Sequence, residues 1–333
     1  MNKMGTQEKP QRFPAWAAAG LVVLGGVFLA LILEKKPLLG WDWYWVFWKN
    51  RDTLSWYPPW TALLLSPIAF LPWRWGFSLV NGLTLAALGM VTYRERPGRW
   101  AFLAVAMVTL SVPVVVLLWD GQIDGLALLG YLLLPWGLPL FLIKPTLGLW
   151  ALLARKDWMI AGIIFAALSF LFWGWWPDQA FRIHVISDYT HPLFGPHPAS
   201  MGWFKLGWPI ALAGIGLMLF TNRKDPFHLM AAGSFLMPYV FPYHFILLLP
   251  VLGRFRHVKQ LTLWLSSWIL ILPFALGSKA AWLGYAFPLM VWYFLWRETR
   301  IEDTWLTFLR RFGPRIQTWL KERFVPSQPK VQE

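Results

Sequence analysis

The sequence has no cysteine, which excludes disulfides, thiolate metal sites and a cysteine nucleophile. It is also poor in charge. Asp, Glu, Lys and Arg make up 14% of its 333 residues, where a soluble globular chain carries about 25%. That deficit argues against a water-soluble enzyme, and disorder, a collagen repeat and a nucleic-acid-binding domain go with it. Acidic residues are the scarcest charged class, 16 against 30 basic ones, so the chain carries a net +14. No internal repeat is visible, and the chain reads as one membrane domain with a polar tail.

What takes the place of charge is apolar and aromatic. Apolar residues make up 57% of the chain, aromatics 18%, and there are 26 tryptophans. In a membrane protein these numbers belong together, because Trp rings settle at the lipid-water interface while Lys and Arg hold the cytoplasmic ends of helices. Crossing a hydrocarbon layer of about 30 Å takes about 20 apolar residues. Stretches that meet or approach this length are Pro14 to Leu33, Trp75 to Tyr93, Trp100 to Leu118, Trp158 to Trp176, Gly207 to Phe220, Leu261 to Leu276 and Ala281 to Trp296. The first follows Lys3, Lys9 and Arg12 but lacks a small-residue cleavage site and ends at Glu34-Lys35-Lys36, so it reads as a retained anchor.

Short basic loops at Arg94 to Arg99, Arg155-Lys156, Arg223-Lys224 and Arg254 to Lys259, with the basic tail after Arg297, are expected on the cytoplasmic side. Both termini are then cytoplasmic. The outer segments become Glu34 to Tyr57, Trp119 to Asp124, Pro177 to Lys205 and a stretch near Lys279. Three segments do not fit as simple spans. Pro58 to Trp73 is short and holds Pro67, so it reads as re-entrant or interfacial. Gly125 to Ala154 must make one net crossing through Pro135, Pro139 and Pro145. Phe227 to Leu252 must start and finish inside, with Pro238 and Pro242 between. Broken helices at membrane depth are tolerated where protein or a water-filled cavity satisfies the freed backbone groups, and they point at a site. The expected organisation is a cytoplasmic N-terminus (1–13), a transmembrane domain (14–296) and a basic tail (297–333). In the tail, Ile301 to Phe324 reads as an amphipathic helix, broken at Gly313-Pro314, on the anionic inner leaflet or packed on the protein's own inner loops.

Ionisable residues at membrane depth are functional candidates because their burial is costly. Asp42 sits in Gly40-Trp41-Asp42-Trp43-Tyr44-Trp45, where aromatic neighbours restrict water and poise a carboxylate to accept a hydroxyl proton; the alternative is pairing with Lys49 or Arg51. Asp120, Gln122 and Asp124 open a helix. There they could bind sugar hydroxyls or a cation, with helix capping favoured for Asp124 and Gln122 left open. Lys144-Pro145 lies inside an apolar run and must snorkel or meet an anion. His244, at the apex of the broken hairpin, is a structural hydrogen-bonding residue or a phosphate or acceptor contact. His184, Asp188, His191, His197 and Lys205 share the second outer loop in a spacing that matches no zinc pattern, so no metal is expected.

Taken in order, these residues resemble the integral-membrane glycosyltransferases of the GT-C superfold, most closely glycosyltransferase family 87, the polyprenol-phosphate-mannose-dependent mannosyltransferase-like proteins. The matching features begin with Asp42-Trp43-Tyr44, then Tyr57-Pro58-Pro59 with Ser66-Pro67 and Leu71-Pro72 behind it. Gly121-Gln122, Lys144-Pro145 with Arg155-Lys156, and Pro238 to His244 before a leucine run follow. The matches run from about residue 14 to 296. The stretch between Gln122 and Lys144 is shorter than in the family, and Asp124 stands where the family tends to carry Asn or another polar residue.

The resemblance implies an all-α polytopic membrane protein, a GT-C-like helical bundle of about 8 to 11 membrane segments, several broken or re-entrant. It implies transfer of a hexose, mannose-like, from a polyprenyl-phosphate sugar to a glycan or glycolipid acceptor on the outer face of a prokaryotic cytoplasmic membrane. Asp42 would be the general base of an inverting displacement, Lys144 and His244 would hold the donor phosphate, and Trp43, Tyr44, Tyr57 and Gln122 would bind substrate. No cofactor is implied, and the partners are donor, acceptor and membrane lipids, with no nucleic acid. A lipid or amphiphile transporter or flippase is the rival reading, and a noncatalytic membrane subunit the third.

Overall fold

A computed structural model of the protein describes residues 40, 42–49, 57–95, 97, 99–177, 190–191, 195–196, 201–276 and 278–311. The expected N-terminal segment and span (1–33), the tail beyond 311 and most of the second outer loop, including His184, Asp188 and His197, lie outside the described residues. The described chain is mostly helical. Its strands are the two-residue antiparallel pair Thr190–His191 (β1) and Gly195–Pro196 (β2).

The helices that position the site are α1 (Pro59–Ala69), α2 (Trp73–Glu95), α3 (Arg99–Thr109), α4 (Val112–Asp120), α5 (Ala127–Leu132), α6 (Lys156–Trp173), α7 (Trp208–Leu219), α8 (Pro226–Gly233), α9 (His257–Trp268) and α10 (Ala286–Glu298). Among the described residues α2 and α6 are long and apolar enough to cross a membrane, and α3 with α4 adds a third crossing if the pair is one span bent by 50°. The expected straight helix from Trp100 to Leu118 is therefore broken. Ser111 spends its hydroxyl on the Val108 carbonyl at 2.6 Å, and Pro113, in the first turn of α4, has no N–H to continue the ladder. The stretches expected near 207–220, 261–276 and 281–296 are likewise shorter helices, α9 passing into a 3-10 turn at Ile269–Ile271 and α10 preceded by one at Ser278–Tyr285.

α2 is the central element, wrapped by its neighbours, whereas α6 is exposed along most of its length. Aromatic packing ties the periphery to the centre. Trp60 of α1 is buried edge-on against Phe165 and Trp176, contacts of about 0.5–1.5 kcal/mol each beyond their area. Both ends of α1 contact the 43–49 turn: Tyr57 before it packs on Phe47, and the Trp73 carbonyl after it accepts the indole N–H of Trp43 at 2.9 Å.

The basic loops meet at the other end. Arg254 bridges Glu95 at the end of α2 and Asp225 before α8. Asp225 also caps α8, accepting from Phe227 N at 3.0 Å and His228 N at 3.3 Å, an arrangement worth about 1 kcal/mol. Lys224 pairs with Asp303 at 2.8 Å and Lys259 with Glu298 at 2.9 Å. Tyr131 packs on both Trp158 and Phe227, bringing the start of α6 to the same end. The first part of the tail also docks here. Trp305 N donates to the Thr221 carbonyl at 3.3 Å and the Arg223 guanidinium lies 4.8 Å over the Phe308 ring. Up to residue 311, then, the tail packs on the protein's own loops.

The turn that the sequence places at the outer surface, 119–124, descends into the bundle. Gly121 touches Phe77 and Gly125 touches Thr84, and Thr84 is the midpoint of α2, about 16 Å from either end at 1.5 Å per residue. The segment after it does not simply cross. It runs through α5 to Tyr131 at the basic end, returns to Lys144 beside Asp124, and descends again to Arg155. The 227–252 segment leaves the basic end at Asp225, reaches the same depth at His244, and comes back to Arg254. Two broken segments and a helix terminus therefore meet at mid-depth.

Candidate active site

The Asp42 loop is fixed by indole donors. Trp43 and Trp48, on the π-helical turn Trp43–Lys49, donate to the carbonyls of Trp73, the first residue of α2, and Leu71, in the turn before it, at 2.9 and 3.0 Å. Gly40 N donates to the Trp119 carbonyl at 2.8 Å, pinning the loop to the end of α4. Gly121 terminates α4 in the left-handed region at φ 72°, and a Cβ there would lie 2.7 Å from Trp43 Cβ and 2.8 Å from the Phe77 ring. Only glycine satisfies both demands. The turn it makes presents Gln122, whose side-chain amide donates to Asp42 Oδ2.

Asp42 keeps some accessible surface. Burial pushes its carboxyl up to about 7, with the Lys144 cation opposing and the Asp124 charge reinforcing the rise. Asp120, also buried, stands near enough to Asp42 for their charges to repel.

Deeper lies Asp124. Capping is the expected role, and Asp124 opens the 3-10 turn Asp124–Leu126. Its two oxygens also face Lys144 Nζ and His244 Nε2, each at 3.5 Å. Pro145 removes the next backbone donor, and Thr146 N closes a tight turn on the Lys144 carbonyl at 2.7 Å. Thr61 of α1 donates to the Ile143 carbonyl at 2.7 Å, fixing the same segment from outside. The ammonium donates to Tyr243 Oη at 3.3 Å and lies 4.8, 5.5 and 6.0 Å from the rings of Tyr243, Tyr57 and Tyr239, within cation–π range. Phe241 N donates to His244 Nδ1 at 3.1 Å. In the neutral ring that acceptor role places the proton on Nε2, toward Asp124.

Of the residues singled out in the sequence, the structure brings together Asp42, Gln122, Lys144, His244 and Tyr57. Trp43 is wholly buried and serves as the floor under Gly76 and Gly121. Tyr44 is half-buried, stacked on Trp48 with ring centroids 5.4 Å apart. Lys205 lies at the surface, in the turn Trp203–Leu206. Sequence reasoning missed Tyr239 and Tyr243, whose signal is the repeated Pro-Tyr at 238–239 and 242–243. It also missed Ser78, Asn81 and Thr84, buried polar residues at three-residue steps in α2; Asn81 Nδ2 donates to the Leu118 carbonyl at 3.5 Å and Thr84 meets Gly125, and among the described residues Asn81 Oδ1, Ser78 Oγ and Thr84 Oγ1 have no hydrogen-bond partner. A separate apolar groove of about 470 Å³ between α3 and α9 contains none of these groups.

The arrangement can take a proton at Asp42 and hold an anion between Lys144 and His244. Among the described residues no three His, Asp or Glu side chains are placed to share a metal ion. Comparison of the chain with family models, curated proteins and solved structures found no match.

Proposed function

We propose that the protein is a polytopic membrane glycosyltransferase with a GT-C-like bundle, moving a hexose from a polyprenyl-phosphate donor to an acceptor hydroxyl at the outer face of a prokaryotic cytoplasmic membrane. The observation that carries the reading is the meeting of Asp42, Gln122, Lys144 and His244, drawn from four separate segments, in one buried cluster. Asp42 takes the acceptor proton as the hydroxyl oxygen attacks the anomeric carbon. The bond from that carbon to the phosphate oxygen breaks, and its electron pair leaves with the polyprenyl phosphate. A base whose carboxyl titrates near 7 suits this task, being ionised at working pH and still basic enough to accept the proton. Lys144 and the Nε2–H of His244 stabilise the charge that develops on the leaving phosphate. The Trp43 and Trp48 anchors keep Asp42 in place.

The rival reading, a carrier of an amphiphile, is favoured by the two broken segments meeting at mid-depth. Asp42→Asn separates the two. With protein abundance unchanged, transfer from a polyprenyl-phosphate sugar in membranes is lost in the variant if Asp42 is the base, and persists undiminished if the glycosyltransferase reading is wrong.

A further inference from the structure

The anion-binding donors at mid-depth are occupied from within. Lys144 Nζ and His244 Nε2 come from different segments, yet both face the two oxygens of the single Asp124 carboxylate. Both contacts, at 3.5 Å, are long beside the roughly 2.7–2.9 Å of a charge-assisted hydrogen bond. Among the described residues Asp124 Oδ2 has no hydrogen-bond partner beyond this long contact with the lysine, although its residue is 3% exposed and Lys144 is 5% exposed. A buried ion pair with long contacts and an unfilled acceptor is poorly compensated for its desolvation. Such a pair is held where an exchange partner fits the donors better.

We infer that Asp124 is a resident competitor for the phosphate site: the ligand's phosphate displaces its carboxylate from Lys144 and His244, and the carboxylate returns when the ligand leaves. The inference rests on the reading of Lys144 and His244 as phosphate ligands. It also sets which phosphates enter. Among the described residues Lys144 is the one fixed positive charge acting on the cluster that holds the carboxyl groups of Asp42, Asp120 and Asp124, so a singly charged phosphodiester is favoured over a diphosphate, whose extra charges lack a matching cation there. Transfer converts that diester into a phosphate monoester with a second ionisable oxygen. The more highly charged product then competes less well against the returning carboxylate, which promotes its release.

Asp124 acts here as a positioning residue, and its test reads binding directly. The full-length protein in nanodiscs is titrated with a short-chain polyprenyl methyl phosphate, a singly charged diester, and with the polyprenyl diphosphate, for wild type, Asp124→Asn, Lys144→Gln and the double variant. Asp124→Asn is expected to bind the diester about tenfold tighter, equivalent to about 1.4 kcal/mol, and to narrow the preference over the diphosphate. Lys144→Gln abolishes binding, and the double variant shows no gain. Equal or weaker binding by an Asp124→Asn protein that unfolds at the wild-type temperature overturns the inference, as does failure of wild type and variant alike to bind.

Should Asp124→Asn not fold, infrared difference spectra of wild type carrying 13C-labelled Asp give the same answer. Ligand addition shifts a carboxylate band in wild type but not in Lys144→Gln, and an unshifted band overturns the inference. Tighter binding by the variant without any transfer activity in wild type removes the glycosyltransferase reading and leaves this one. Transfer without a binding gain does the reverse.

Discussion

Three glycine-to-alanine substitutions separate backbone strain from steric overlap in this fold. At Gly216 in α7 an added Cβ meets nothing within 4 Å and the backbone is helical, so alanine gains up to about 1 kcal/mol in helix propensity. At Gly174, which ends α6 at φ 67° and ψ −157°, a Cβ again meets nothing, leaving only the cost of about 1–3 kcal/mol of a backbone region that essentially glycine alone adopts. Gly121 combines φ 72° with contacts of 2.7 Å to Trp43 and 2.8 Å to Phe77. Both neighbours are fully buried, so they cannot move aside cheaply. Overpacking adds about 1–3 kcal/mol to the left-handed cost of about 1–2 kcal/mol, for a total of about 2–5 kcal/mol. Thermal unfolding of the purified variants in a mild detergent should rank Gly216→Ala at or above wild type, then Gly174→Ala, then Gly121→Ala. Gly121→Ala should also disturb Gln122 and with it the hydrogen bond to Asp42. A Gly121→Ala protein as stable as Gly174→Ala would refute the claim that the α4 terminus is packed hard against the Asp42 loop.

Other consequences are as direct. If the ionised form of Asp42 is the base, as proposed, burial that pushes its carboxyl up to about 7 should make kcat/KM fall about tenfold per pH unit below that value, as a pH-rate profile of the transfer reaction would record. The same raised carboxyl favours the folded state when protonated, so stability should rise as pH falls from about 7 toward the ordinary Asp value of 3.8; the wild-type minus Asp42→Asn difference in unfolding temperature between pH 8 and pH 5 isolates the effect. Arg254→Met leaves Glu95 and Asp225 facing each other without a cation and should cost about 3 kcal/mol. Lys224→Met, which breaks the exposed pair with Asp303, should cost less than about 1 kcal/mol. Trp43→Phe removes a fully buried indole donor from the Trp73 carbonyl and should destabilise by about 1–3 kcal/mol, whereas Trp48→Phe, at a more exposed bond, should be milder; thermal unfolding checks both pairs.

Much of the site was legible from local chemistry. Asp42 among aromatics, Gly121-Gln122 and Lys144 in an apolar run are each costly at membrane depth unless used, and cost is visible in a sequence. The breaks around Pro145, Pro238 and Pro242 were legible because proline withholds a donor wherever it falls. The partner of Lys144 was not. Asp124 precedes it by twenty residues, and only the return of the chain from Tyr131 brings the two together; until then a carboxylate at a helix start reads as a cap. Depth was illegible for the same reason. The 119–124 turn follows an apolar run and is polar, so it reads as an outer loop; from Gly121, beside Phe77 near the start of α2, the chain reaches the middle of that helix at Gly125, beside Thr84. The tryptophans divided as well. Trp43 and Trp48 use their N–H groups to hold a turn, a task that composition cannot distinguish from a wall for sugars.

The proposed reaction is a single displacement at the anomeric carbon with Asp42 as the base. The measurement that tests it most directly is the anomeric configuration of the product formed from a polyprenyl-phosphate hexose by the purified protein, read by NMR. Inversion relative to the donor, lost with Asp42→Asn, is the predicted result. Retention of configuration, or inverted product formed equally well by Asp42→Asn, would contradict it.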